Sequence, residues 1–210
     1  MRTKTLLLTA ALVAVGAASS MAQVYSQNAV GYINITVKPG FNLVGNQLVQ
    51  PNVTIGSLLP APPAGTIFYA YSGGFSTTTF DPDLGGWDPD PNLPMPYGGG
   101  GFLFNPSASN FTMTLVGDVG QGSLANAIPA GFSVRSSKVP QAGLITTTLG
   151  LPAVQNDTLY QYSNPGGYST YVFDNDLGGW DPAEPSVAVG EAFFFNSGAG
   201  HAWTRVFSVN

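Results

Sequence analysis

Cysteine is absent from the 210-residue chain, and histidine occurs once, as His201. Without cysteine there are no disulfides, thiol nucleophiles, thiolate zinc sites or iron–sulfur clusters. A single histidine excludes His-rich metal centres. Charge is scarce too, at 8% of residues. Beyond residue 22 the basic side chains are Lys38, Arg135, Lys138 and Arg205, set against eleven acids. Nucleic acid and anionic lipid are bound through clustered Lys and Arg, so neither is an expected partner. After residue 22 no stretch approaches the roughly 20 apolar residues that a membrane-crossing helix needs.

The first 22 residues have the order of an export signal. Arg2 and Lys4 open it, an apolar stretch runs from Leu6 to Ala18, and Ser20-Met21-Ala22 forms a small-x-small cleavage site. The stretch is short for a bilayer span, so cleavage after Ala22 is expected. The destination is the extracellular space, the cell surface or the periplasm.

What the chain has in quantity is glycine, proline and aromatic residues: 27 Gly, 17 Pro and 12% aromatic. Disordered chains are poor in aromatics and rich in charge, so this one folds. Ile33, Ile35 and Val37 alternate with polar residues, as do Phe111, Met113 and Leu115. That is the period of a half-buried strand. Tyr71-Ser72-Gly73-Gly74 and Ser163-Asn164-Pro165-Gly166-Gly167 carry the residues of hairpin turns. Pro and Gly interrupt every longer stretch, leaving Val53 to Leu59 and Gly143 to Leu149 as the two short helical candidates. Phe193-Phe194-Phe195 reads as a strand buried on both faces. The expected class is all-β, antiparallel and sandwich- or barrel-like.

The chain also repeats itself. Phe80-Asp81-Pro82-Asp83-Leu84-Gly85-Gly86-Trp87-Asp88-Pro89 recurs from Phe173 to Pro182 with one change, Pro82 to Asn175. Gly40-Phe41 answers to Gly131-Phe132, Phe68-Tyr69-Ala70-Tyr71 to Leu159-Tyr160-Gln161-Tyr162, and Phe102-Leu103-Phe104-Asn105 to Phe193-Phe194-Phe195-Asn196. The expected organisation is an N-terminal strand segment over 23–38, a β module over 39–117, a polar Gly-rich linker over 118–129 and a second module over 130–210. Each module is small for a domain without cysteines, which favours a large interface between them.

Val24-Tyr25-Ser26-Gln27-Asn28-Ala29-Val30-Gly31-Tyr32, the paired Gly-Gly-Trp-Asp-Pro loops, Ser137-Lys138-Val139-Pro140-Gln141 and the ending Trp203-Thr204-Arg205-Val206-Phe207 resemble a group of secreted bacterial proteins of the verrucomicrobial kind. The resemblance spans nearly all of the chain after residue 22. It implies export and a duplicated β module, and it brings no activity with it. Each copy is also similar to β repeats of surface proteins that begin Gly-aromatic-Asn-Leu, here Gly40-Phe41-Asn42-Leu43; the second copy departs at Ser133-Val134-Arg135.

Eight of the eleven acids lie in the two repeated loops: Asp81, Asp83, Asp88, Asp90, Asp174, Asp176, Asp181 and Glu184. Two readings compete. In one they form a hard-cation site for Ca²⁺, because Asp-x-Asp ahead of Gly-Gly gathers oxygens in a small volume. In the other they bond their own backbone in turns while Trp87 and Trp180 cover the core. A glycosidase would need two carboxyls flanking a sugar, such as Asp88 with Asp90 or Asp181 with Glu184. A loop kept in both copies fits a structural repeat better, since an enzyme needs one site. No Gly-x-Ser-x-Gly elbow is present. Among aromatics, Tyr71, Phe75, Trp87, Tyr162, Tyr168 and Trp180 are candidates for stacking on a ligand, with Phe75 and Tyr168 at hairpin tips.

Together these features describe a secreted, non-catalytic structural or interaction protein of the cell surface or extracellular matrix. It needs no cofactor and can assemble with itself through the N-terminal strand. The alternative is a calcium-dependent module that binds extracellular glycan.

Overall fold

The computed structural model describes residues 29–209; the expected export signal, residues 1–22, lies outside the described residues. Alternation settles the first strand. In β1 (Val30–Val37) Ile33 and Val37 are buried while Tyr32, Asn34 and Thr36 face solvent. It pairs antiparallel along its whole length with β7 (Phe111–Asp118), whose Met113 and Leu115 are fully buried. Beside this ribbon lies a five-stranded antiparallel sheet in the order β2 (Gly40–Gly45), β6 (Gly100–Asn105), β3 (Ile67–Tyr71), β4 (Phe75–Asp81) and β5 (Gly86–Asp88). Phe68, Phe80, Trp87 and Leu103 from the sheet share one core with Ile33, Val37, Met113 and Leu115 from the ribbon. A four-residue helix, α1 (Ile55–Leu58), capped by the Thr54 side chain, adds Ile55 and Leu58.

The second half repeats this plan. Its ribbon is β8 (Gly122–Ile128) with β16 (His201–Phe207), and its sheet runs β9 (Gly131–Arg135), β15 (Phe193–Ser197), β11 (Thr158–Ser163), β12 (Gly167–Asp174) and β13 (Gly179–Asp181). Leu159, Phe193, Phe195, Trp180 and Trp203 form its core. A short pair, β10 (Gly143–Leu144) with β14 (Ser186–Val187), is added. The fold is therefore all-β, two open sheet-on-ribbon layers without a closed barrel. Among the described residues no helix is long and apolar enough to cross a membrane.

Three sequence expectations change here. The segment 118–129 is not a linker: Gly122–Ile128 is the strand β8, and the joint shrinks to Val119, Gly120 and Gln121. Its alternation is disguised because the inward position between Leu124 and Ile128 is Asn126. That side chain is buried and donates to the carbonyls of Gly98 (2.8 Å) and Ser136 (3.0 Å). The strand within 23–38 is not a separate arm either, since β1 is to module one what β8 is to module two. The helix expected at Gly143–Leu149 is β10 followed by turns. The β-branched run Ile145-Thr146-Thr147-Thr148 disfavours helix.

The ladders also re-register one repeat. Gly40 faces Asn105 and Gly131 faces Ser197, so Phe102 corresponds to Phe194 and Leu103 to Phe195. Matching Phe102 to Phe193 by sequence is wrong by one residue, and one residue in a strand exchanges its two faces. Phe193 and Phe195 point into the module core and Phe194 points out of it. All three are buried.

With that register, the contacts between modules come in matched pairs. Gly45 N–H donates to Gly190 O at 2.8 Å, and its counterpart Ser136 N–H donates to Gly98 O at 3.0 Å. Gly45 and Ser136 are equivalent residues, and they abut: a Cβ on Gly45 would stand 2.5 Å from that of Ser136. Gly100 and its equivalent Ala192 meet likewise, at 2.7 Å. Contact between equivalent positions is the mark of an isologous, twofold interface. The two modules are one pseudo-twofold body.

Candidate functional site

A strand with one face in the module core must present its other face elsewhere. In β3, Phe68 and Ala70 point inward, so Tyr69 and Tyr71 point outward; in β11, Leu159 points inward, so Tyr160 and Tyr162 point outward. Phe102 on β6 and Phe194 on β15 follow the same rule. These outward faces converge at the seam. Leu43, Phe102, Val134, Ala192 and Phe194 form its buried floor.

Aromatic rings cross the seam in symmetric sets. Tyr71 meets Phe194 at 5.3 Å between centroids, and Tyr162 meets Phe102 at 5.0 Å. Tyr71–Phe75 and Tyr162–Tyr168 are both 5.2 Å apart. Phe41–Tyr69 and Phe132–Tyr160 flank the array, each at 5.7 Å. The edge-on and tilted geometries are those aromatic pairs prefer. The rims remain in water: Phe75 is 54% exposed, Tyr168 52% and Phe132 49%. Between them opens a cavity of about 460 Å³ lined by Tyr71, Phe75, Phe132, Tyr160, Tyr168, Thr170 and Phe194. Among the described residues no charged side chain lines it. Burial, and then the neighbouring Tyr162, raise the Tyr168 hydroxyl above the usual phenol range, so it stays a protonated donor.

Of the stacking candidates, Tyr71, Phe75 and Tyr168 therefore come together in one groove. Trp87 and Trp180 do not. They are 6% and 8% exposed, and their indole N–H groups donate inward to Leu59 O (2.8 Å) and Thr146 Oγ1 (2.9 Å). Both belong to the module cores, and Trp87 also reaches the wall of a separate cavity of about 470 Å³ beside Pro91 and Asn92. Sequence reasoning missed Phe132, Tyr160, Thr170 and Phe194. The signal was the paired Tyr-x-Tyr in β3 and β11, which puts two rings on the face opposite the core.

In the acidic loops the carboxylates bond backbone N–H groups. Asp81 Oδ1 accepts from Asp83 N–H at 2.9 Å, and Asp174 Oδ1 from Asp176 N–H at 2.9 Å. Asp90 Oδ1 accepts from Asn92 N–H at 2.8 Å. Glu184 Oε1 takes the N–H groups of Thr146 and Thr147 at 2.6 and 2.7 Å. These are turn and cap bonds. Among the described residues no three acids or histidines stand close enough to share an ion. Thermal melting with excess EDTA should leave the midpoint unchanged from that with Ca²⁺. A drop of several degrees, the loss expected when a ligand held well above its Kd is removed, would place calcium in the loops.

No known family, curated protein or solved structure matches the chain.

His201 sits at the start of β16, with Ser197 Oγ 3.4 Å from Nδ1 and Asp157 Oδ2 3.7 Å from Nε2. The grouping differs from a nucleophilic triad. Ser197 is buried, and its hydroxyl addresses the nitrogen that a triad gives to the carboxylate.

Proposed function

We propose that the chain is a secreted, non-catalytic interaction protein of the cell surface or extracellular matrix, with the aromatic groove as its contact surface. The observation that carries this is the cluster of exposed rings at Phe75, Phe132 and Tyr168 over a cavity. Contiguous apolar surface is costly to leave in water, and on soluble proteins it marks sites of interaction. Ligand sites are typically concave and aromatic with a few hydroxyls, as here.

The test is a double variant, Phe75→Ser with Tyr168→Ser. Both side chains are half-exposed, so the fold should be retained with a melting point close to wild type. On the cells that make the protein, wild type should fractionate with the envelope or matrix and the variant should escape to the medium. Equal partition of the two would overturn the reading.

A further inference from the structure

We infer that the cavity binds an uncharged polysaccharide, seating the C–H faces of its pyranose rings on Phe75, Phe132 and Tyr168. The inference rests on the groove being the contact surface and names what occupies it. Four observations select this ligand. First, among the described residues no carboxylate, ammonium or guanidinium lines the cavity, so a charged polymer gains no ion pair there. Second, the rings are interleaved with hydroxyls, from Tyr71, Tyr160, Tyr168 and Thr170. An aliphatic ligand leaves those groups without partners, at a cost, whereas sugar hydroxyls supply both donors and acceptors.

Third, the centre of the floor has no free edge: Tyr160 stands on β11, paired there with β12 and β15, and Phe194 on β15, paired with β11 and β9. An extended peptide binds by adding a strand to a free edge, and free edges lie only at the margins of the groove, on β9 and on the hairpin ends of β4 and β12. Fourth, the volume of about 460 Å³ falls within the range for small-ligand sites. A protein partner would need roughly 800 Å² of surface on each side.

The pseudo-twofold also explains which half is open. In module one Phe104 stacks on Phe41 at 4.9 Å and fills the space beside it. The equivalent of Phe104, facing Phe132, is Asn196. The missing ring leaves the second-module side free to receive a sugar. An Asn196→Phe substitution should therefore plug the site without removing any of its rings.

The test is affinity electrophoresis of the exported chain through gels containing hydroxyethyl cellulose, mannan or alginate. Retardation by an uncharged polymer, unchanged as salt is raised, is expected, with none in alginate. Phe132→Ala with Tyr168→Ala, and separately Asn196→Phe, should each weaken it about tenfold, the factor that ~1.4 kcal/mol of contact energy gives. Retardation only in alginate, abolished by salt, would overturn the assignment. So would a concentration-dependent dimer lost in the same variants, since a second copy would then be the occupant. No retardation in either uncharged gel, with envelope partition still dependent on Phe75 and Tyr168, would sink the polysaccharide and leave the contact surface standing. Loss of both results would sink the two together.

Discussion

A Phe195→Ala variant should melt roughly 10 °C below wild type. Phe195 is fully buried in the second core, against Phe193 at 6.3 Å, on a strand held by β11 and β9. A strand hydrogen-bonded on both sides has little room to collapse into the space left by the ring. Truncating a buried Phe under those conditions costs about 3–5 kcal/mol, and each kcal/mol is worth about 2–4 °C in a body of this size. The duplication supplies a second variant that makes the argument specific. The equivalent position in module one is Leu103, also fully buried, so Phe195→Leu places a side chain the architecture already accepts. It should recover most of the loss, leaving a deficit of about 1 kcal/mol. If alanine costs less than leucine, or neither has an effect in thermal denaturation, the re-registered equivalence of β6 and β15 is mistaken.

Gly100→Val should be about as damaging for a different reason. A Cβ at Gly100 would lie 2.3 Å from Val44 O and 2.7 Å from Ala192 Cβ. The first of these atoms is backbone on a paired strand and the second belongs to the opposite module. Neither can swing aside as a long side chain would. Ordinary overpacking costs about 1–3 kcal/mol, and a clash with backbone at the seam belongs at or beyond the top of that range. Valine should also open the groove, since the floor residues Ala192 and Phe194 move with the seam. Gly198→Ala is the control: nothing lies within 4 Å of its added carbon, and its melting point should stay within a degree or two of wild type. Equal midpoints for the two variants, measured by thermal denaturation, would show that equivalent glycines and alanines do not meet across a tight twofold.

The repeat was legible because the Gly-Gly-Trp-Asp-Pro loops are turns, where backbone conformation dictates sequence. The strands between them tolerate any apolar residue on the inner face, so their register drifted out of sight. Nothing in Phe193-Phe194-Phe195 says which ring faces the core, because all three are buried; only the ladder with β9 and β11 does. Strand β8 was hidden by Asn126, a polar residue in an inward position whose partners, Gly98 O and Ser136 O, are contributed by distant segments. The groove was half legible. Phe75 and Tyr168 were readable as hairpin tips, yet the seam that brings them to Phe194 and Phe102 is a tertiary event. The tryptophans carried two readings, ligand stacking and core cover, and a Gly-rich loop does not show which way an indole turns; here the N–H points back to Leu59 or Thr146.

The groove exists only if the two modules are welded, and scanning calorimetry of the chain tests that most directly. One transition is predicted, with calorimetric and van't Hoff enthalpies equal. Phe68→Ala in the first core and Phe195→Ala in the second should each lower that same transition. Two resolved transitions, each moved by only one of these variants, would mean independent modules and would contradict the account.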